Sequence, residues 1–445
     1  MSAIIEPRVL KGFRDFLPDA EIERSRVMRV LADTFVSFGY VPIDTPILEY
    51  TEVLLGKGGG ETDKQIFRFN DNGGRDVSMR FDLTVPFARY IAAHRNELYL
   101  PFKRFHIGKA FRGENTQRGR YREFVQCDFD CVGVDSASAD FEIVSVMVRS
   151  FENLGVDDAT IHLAHRGLFN RFLANLHLDA DHAEVLRTVD KIKKISVEKT
   201  RAALAELVAA DAADTIIAYV TPGRDAAATL EHCTKLAGGP ADDTERLETV
   251  LEWAEKTGIA RRIVLDPSIT RGLDYYTGIV FETFLDALPG IGSVCSGGRY
   301  NDLASLYTKE RLPGVGSSIG LDRLMAALEE LGRSNENPQG LDVLVVFLDA
   351  ALGALYHEIA AKLRSRGVKA EVYPEQRKIT AQFQFAEKKG ARAAIIVGAD
   401  EAARNVVNVR DLVLRENHDA LSIDAAVERV ASITDSSSPR GPSGR

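Results

Sequence analysis

The sequence predicts an α/β protein of two or three domains, and three observations carry that expectation. Strand-like runs joined by glycine-rich or polar turns fill residues 39–134, an Ala-, Asp-, Glu- and Leu-rich block at about 160–260 reads as helices, and strands alternate with helices beyond residue 340. At 445 residues the chain exceeds what one hydrophobic core usually supports. It is 45% hydrophobic and 27% charged, with no apolar run long enough to cross a bilayer. The opening MSAIIEPRVLKGFRDFLPDAEIERS lacks an apolar stretch followed by a small-residue cleavage site. A cytoplasmic protein without membrane contact is expected. Cys127, Cys131, Cys233 and Cys295 lack paired metal-ligand spacing and are expected to be reduced and in or near the core.

Apolar residues Ile22, Val27, Val30, Leu31, Phe35 and Phe38 recur at helical spacing and stop at Gly39. In GYVPIDTPILEYTEVL, Pro42 and Pro46 forbid a regular helix and favour an extended segment that turns into a short one. KQIFRFND and RDVSMRFD flank Asn72-Gly73-Gly74 as two strands around a reversal. A helix is expected over Leu83–Ala93, with Pro86 tolerated in its first turn. FKRFHIGKAFRGE and REFVQCDFDCVGVD read as strands on either side of NTQRGRY, and Ser138–Leu154 reads as an amphipathic helix. The block at 160–260, broken at Thr221-Pro222-Gly223 and Gly238-Gly239-Pro240, suggests an inserted helical subdomain. Strand signals return at Arg262–Leu265, at Ile279–Phe284 and around Ser293–Ser296, and a helix follows Gly320 through Leu331. SNENPQG is a linker by composition. Beyond it LDVLVVFLD, VKAEVY, AAIIVG and VVNVRDL alternate with helices at 351–366 and 379–390, the pattern of a small α/β domain, and SSSPRGPSGR is expected to be a disordered tail.

Net charge is −9, from 56 Lys plus Arg and 65 Asp plus Glu, so any anionic partner must meet a local patch. Arg104, Lys109, Arg112, Arg118, Arg120 and Arg122 supply one, interleaved with Phe105, Phe111, Tyr121 and Phe124. A solvated basic hairpin would explain the charge but not the aromatic company. If Glu123–Asp130 is a strand, Gln126, Asp128 and Asp130 share a face, either as the floor of a ligand site or as a solvated sheet surface. Asp82 and Thr84 admit two readings, a helix cap or a carboxylate and hydroxyl for an ammonium group. Gly314-Val-Gly316-Ser-Ser-Ile-Gly320-Leu-Asp-Arg323 leads a glycine-rich strand into a helix whose first turn favours anions. Arg271, Asp274, Tyr275 and Tyr276 form a polar knot suited to a ligand anionic at one end and planar at the other; the alternative is a tight turn with a solvated arginine. Three separated arginines, Arg112, Arg271 and Arg323, suit a triphosphate.

These segments carry a resemblance to the histidyl-tRNA synthetase family of class II aminoacyl-tRNA synthetases. GYVPIDTPILE, FRGENTQRGRYREFVQCDFD and GVGSSIGLDRL resemble the three general class II motifs, and RGLDYYTGIVFE resembles the segment peculiar to the histidine enzymes. The resemblance implies an α+β catalytic domain, an antiparallel sheet flanked by helices, at 1–330 with a helical insertion at 170–260. It further implies a linker at 331–340, a mixed-sheet α/β anticodon-binding domain at 341–432 and a tail at 433–445.

The implied activity is ATP-dependent ligation of L-histidine to tRNA(His) by a homodimer with motif one at its two-fold interface. By position, Arg112 would contact the α-phosphate and Arg323 the terminal phosphates and adenine face, with Glu114 also among the nucleotide-binding residues. Asp82, Thr84 and Gln126 would surround the α-ammonium, Asp130 with Tyr275 or Tyr276 the imidazole, and Arg271 the reacting carboxylate. Mg²⁺ would arrive with the nucleotide, and no protein ligand to it is named. Asp82 and Asp130 stand where common bacterial members carry glutamate, a departure shared with the eukaryotic and archaeal branch that shortens both side chains by one methylene. The alternative is the histidine-binding regulatory paralogue that acts with ATP phosphoribosyltransferase. That alternative tends to lose both RGLDYYTG and the C-terminal module.

Overall fold

Val27, Leu31 and Phe35 lie on one helical face and are fully buried, so the first long element forms where the periodicity predicts. This is α1, Pro18–Ser37, and it stops at Gly39, whose φ of +81° suits a residue without Cβ. The computed structural model describes residues 4–56, 65–178, 182–270, 276–333 and 340–434. These fall into two compact units, residues 4–15 with 24–333, and residues 16–23 with 340–434. The tail expected after residue 434 lies outside the described residues.

In the first unit the two prolines keep the chain extended through β1 (Val41–Pro42) and β2 (Leu48–Tyr50) before α2 (Thr51–Leu55). The expected glycine reversal joins β3 (Arg68–Asn70) to β4 (Asp76–Met79), and these pair with β2 in a small antiparallel sheet. Then come α3 (Thr84–Ala93), β5 (Phe102–Phe111), β6 (Glu123–Val132), α4 (Ala137–Asn153) and β7 (Ala159–His165). The helical insertion comprises α5 (Arg166–Asn175), α6 (His182–Val189), α7 (Ile192–Ile195), α8 (Val197–Ala205), α9 (Ala210–Val220), α10 (Ala226–Leu236) and α11 (Asp242–Lys256). The chain returns through β8 (Ile263–Leu265), β9 (Ile279–Leu285), β10 (Cys295–Tyr300), β11 (Gly314–Gly320) and α12 (Leu321–Glu330).

Eight strands join in the order β1-β5-β6-β11-β10-β9-β7-β8. The outermost pairs, β1 with β5 and β7 with β8, are parallel, and the five pairings between are antiparallel. Helices α1, α4 and α12 cover the face that presents Cys127, Phe129 and Ile319. There Phe35 lies 5.5 Å from Phe105 and 4.9 Å from Phe129 between ring centroids, contacts that add about 1 kcal/mol per pair beyond burial.

Two readings of the sequence need correction. Residues 159–165 form β7 rather than the start of the helical block, because Ile161 and Leu163 alternate into the core while Ala-rich composition masks the two-residue period. The strand expected around Ser293–Ser296 begins at Cys295 and runs on to Tyr300. Gly297 and Gly298 continue it because space is short: a Cβ on Gly297 would lie 2.2 Å from the Gly316 carbonyl oxygen. All four cysteines are buried and free.

The second unit has a mixed sheet ordered β13 (Ala370–Val372), β12 (Val343–Val345), β14 (Ala393–Ile396), β15 (Val407–Asp411), β16 (Asn417–Leu421). Its first three strands are parallel and its last two antiparallel. Helices α13 (Gly353–Ser365), α14 (Ile379–Lys388), α15 (Ala399–Ala403) and α16 (Ile423–Thr434) accompany it. The sequence reading had no strand at 417–421 and no helix at 423–434. NHDAL is too polar for a buried strand; it is an edge strand, exposed or half-buried throughout.

Candidate active site

β5 and β6 form a ten-residue antiparallel hairpin in which Arg104 faces Asp130, His106 faces Asp128 and Gly108 faces Gln126. The strand period of two therefore sends Cys127, Phe129 and Cys131 into the core and holds Gln126, Asp128 and Asp130 together on the opposite face. On the other side of β6, β11 places Gly316 opposite Asp130 and Ser318 opposite Asp128. A Cβ on Gly316 would stand 1.9 Å from Asp130 Oδ1, so glycine makes room for that carboxylate. One strand further on, a Cβ on Gly298 would come within 3.0 Å of the Tyr276 ring.

Asp130 is buried and strongly engaged. Arg104, fully buried, pairs with its Oδ2 at 2.7 Å and stacks its guanidinium 4.1 Å over Phe87, while Tyr300 donates its hydroxyl to Oδ1 at 2.5 Å. The solvated-hairpin reading thus fails for Arg104, although Lys109 fits it as an exposed partner of Glu123 at 2.9 Å. Asp82 meets the first of its two expectations, that of a helix cap. Its Oδ1 accepts the Val85 N–H at 3.1 Å at the start of α3, and its carboxyl is buried on the site side, pushed up to about 6 by that burial against the pull of Val85 and Arg112. Asp128 is pushed up to about 7, chiefly by burial; Asp130 and Asp82 add to this, and Arg104 and Ser318 oppose it. Thr84 donates to Asp128 Oδ2 at 3.4 Å, and Gln126 Nε2 donates to Ser318 Oγ at 2.9 Å. Burial raises the Tyr276 phenol well above its usual range, with further contributions from Asp130, Asp128 and Asp82. The expected histidine-binding residues Asp82, Thr84, Gln126, Asp130 and Tyr276 are therefore neighbours.

Within this group, Asp82 Oδ2, Asp128 Oδ1 and Gln126 Oε1 are buried without a hydrogen-bond partner among the described residues. Buried acceptors left unpaired cost on the order of 1–3 kcal/mol each, a standing demand for a donor.

Arg112, just past β5, donates from Nε to the Phe81 carbonyl at 2.9 Å and lies 5.1 Å over the Phe124 ring. Arg323, in the first turn of α12, donates to the Ser293 carbonyl. Its guanidinium is pulled down to about 10 by burial and then by Arg120, with Glu114 and Glu282 opposing and Arg112 adding. Two of the expected arginines, Arg112 and Arg323, thus share one electrostatic neighbourhood with Glu114. The turn of the 112–122 loop packs on the second of them, Gly119 (φ +69°) standing where a Cβ would be 3.0 Å from Arg323 Cα. Arg271, Asp274 and Tyr275 lie outside the described residues. Among the described residues no group of three His, Cys, Asp or Glu is placed to hold a metal ion.

Sequence reasoning put Asp128 on the right face without giving it a task, counted Arg104 only as part of a basic patch, and missed Tyr300, Ser318 and Glu282. Alternation could have flagged Ser318 beside Asp128 once the strand pairing was known. Nothing in the sequence distinguishes the buried Arg104 from its solvated neighbours.

Residues 12–324 match the family model described as histidyl-tRNA synthetase, and residues 342–433 that described as anticodon binding domain. The histidine–tRNA ligase of Treponema denticola is 49% identical over 444 residues, spanning 97% of this chain and 99% of its own. The crystal structure of histidyl-tRNA synthetase from Nostoc sp. PCC 7120 superposes with a TM-score of 0.87 at 31% identity, covering 96% of this chain and 100% of that one. A structure titled as an ATP phosphoribosyltransferase regulatory subunit/histidyl-tRNA synthetase from Bacillus halodurans C superposes with a TM-score of 0.72 at 21% identity, over 86% of this chain and 97% of that one, a likeness of fold alone.

Proposed function

The chain belongs to the histidyl-tRNA synthetase family of class II aminoacyl-tRNA synthetases, and from that membership we propose how its residues carry out the reaction. The activity is that of an ATP-dependent histidine–tRNA ligase, with the class II fold and a C-terminal anticodon-binding domain. The regulatory-paralogue alternative has no better support, since the ligase relatives align across both units.

Use of ATP with Mg²⁺ is general to the class II fold. The described side chains offer no ligand cluster for the metal, and no step below is routed through it.

Histidine lies on the floor of β6, its α-ammonium among Asp82, Thr84 and Gln126 and its imidazole toward Asp130 and Tyr276, with Tyr275 as the neighbouring candidate. Arg112 holds the α-phosphate, Arg323 the terminal phosphates and adenine face, and Glu114 stands with them at the nucleotide. A carboxylate oxygen of histidine attacks the α-phosphorus in line; the new P–O bond forms as the bond to the bridging oxygen breaks, and pyrophosphate leaves with that electron pair. The difficulty is bringing two anions together, and positive charge at Arg112 and Arg271 offsets it most where water is excluded. No protein base is needed, because the attacking carboxylate is already ionised. In the second step a terminal ribose hydroxyl of tRNA(His) attacks the carbonyl carbon, AMP leaves, and the hydroxyl proton passes to a phosphate oxygen.

The observation that carries this reading is the shared neighbourhood of Arg112 and Arg323 beside buried carboxylates with unpaired oxygens. We assign the active form to a homodimer. Ile47, Leu48, Tyr50 and Phe69, on and beside the β2-β4-β3 sheet, are 41–50% exposed, an apolar patch within or next to motif one. Among the described residues no helix is long and apolar enough to cross a membrane, and a cytoplasmic site of action fits a tRNA substrate. Residues 170–260 pack over the acceptor stem, and residues 341–432 read the anticodon.

Pyrophosphate exchange assayed with each of the twenty amino acids should respond to histidine alone; exchange with another amino acid, or with none, would overturn the reading. Arg271→Ala should slow adenylate formation at least tenfold in single-turnover pyrophosphate release, with dimerisation intact. An unchanged rate would remove Arg271 from the reacting centre.

A further inference from the structure

We propose that Asp128 is a third member of the α-ammonium site, its Oδ1 completing a cradle with Asp82 Oδ2 and Gln126 Oε1. The inference rests on the reading of this site as the histidine pocket and adds to it a residue that reading leaves without a role. Its first support is the number of acceptors. A primary ammonium group has three N–H donors, and among the described residues the site face offers three buried side-chain oxygens with neither a hydrogen bond nor an ion pair, one each on Asp82, Asp128 and Gln126. The orientation of Gln126 is fixed, since its Nε2 donates to Ser318 Oγ at 2.9 Å and leaves Oε1 as the unsatisfied end. Asp128 is 1% exposed, and its second oxygen, Oδ2, is approached by the Thr84 hydroxyl at 3.4 Å.

The second support is charge. Three buried carboxylates, Asp82, Asp128 and Asp130, share the site. Among the described residues the cation that steadies the Asp128 charge most is Arg104, and that guanidinium is already paired with Asp130 at 2.7 Å. Arg80 feels Asp128 at a distance, but its own donors go to the Thr45 and Lys109 carbonyls. Arg112 steadies Asp82 while held at the Phe81 carbonyl. His106, opposite Asp128 across the β5-β6 ladder, is pulled down to about 3 by burial and by Arg104 and Arg80, and so stays neutral. Tyr276 is held in its neutral phenol form. With these described cations committed elsewhere, a buried carboxylate gains its counter-charge from the ligand, and the ammonium is the cationic end of histidine.

The test compares histidine with imidazolepropionate, the same ligand without its amino group, by calorimetric titration of the full-length enzyme and of Asp128→Asn and Asp82→Asn. Asp128→Asn keeps the shape of the side chain and removes its charge; it should weaken histidine at least tenfold and leave imidazolepropionate within about twofold. Equal loss for both ligands would mean that Asp128 acts on the imidazole or on the fold, and the proposal would be wrong. If Asp82→Asn weakens histidine while Asp128→Asn does not, the proposal fails and the pocket assignment stands. If neither substitution affects histidine, the pocket assignment itself fails.

Discussion

Arg112→Ala should lower the rate of histidine-dependent adenylate formation by a factor of about 10² to 10³, the range for loss of one preorganised donor at a charge that grows in the transition state. The side chain is suited to that task because it arrives oriented. Its Nε is spent on the Phe81 carbonyl at 2.9 Å and its plane lies 5.1 Å from the Phe124 ring, so little rotational freedom remains to be lost when phosphate binds. Arg112→Lys should recover only part of the loss, since an ammonium supplies the charge without the planar fork. Single-turnover pyrophosphate release at saturating ATP and histidine separates this from weaker binding. A rate within threefold of the parent enzyme would place Arg112 outside the reacting centre.

Asp140→Ala should cause the largest loss of stability among the substitutions considered. Asp140, in the first turns of α4, is fully buried; its Oδ1 accepts from Arg299 Nε at 2.9 Å and Nη2 at 2.7 Å, and its Oδ2 lies 3.0 Å from Arg246 of α11. Arg299 on β10 is itself fully buried. Removing one partner of such a pair strands the other, at a cost of about 3–5 kcal/mol, which lowers the melting temperature by roughly 4–7 °C in a unit of this size. Adding Arg299→Met to Asp140→Ala should restore much of the loss, because the orphaned charge is then gone. Equal melting temperatures for the single and double variants would show that the pair is not the source of the loss. The same network ties the insertion, through Arg246, to the strand whose Arg299 carbonyl accepts the Thr277 N–H at 2.8 Å beside Tyr276, so histidine affinity should fall along with stability.

Periodicity and turn chemistry made most elements of the first unit readable. Phe35 and Gly39 bounded α1, Pro42 and Pro46 kept 41–50 extended, and the alternation of Gln126, Asp128 and Asp130 identified one face of β6. What stayed hidden depended on partners distant in sequence. Arg104 and Asp130 are 26 positions apart and resemble ordinary surface residues until the hairpin register joins them. Tyr300 reaches the same carboxylate from 170 positions away. The full length of β10 also stayed hidden, because Gly297 and Gly298 carry no apolar alternation and instead let neighbouring backbone and a tyrosine ring approach. Polarity misled at β16, where an exposed edge strand offers no apolar alternation to detect.

The unbroken pairing of β5 with β6, from Phe102 opposite Val132 to Phe111 opposite Glu123, sets where the gene can gain or lose a codon. One extra residue inside 123–130 would rotate Asp128 and Asp130 into the aromatic interior and bring Cys127 and Phe129 out toward the substrates, a double inversion that no side-chain replacement repairs. Insertions at the tip of the 112–122 connection leave that parity untouched. Length variation among descendants of this chain should therefore accumulate in the connection and be purged from the two strands.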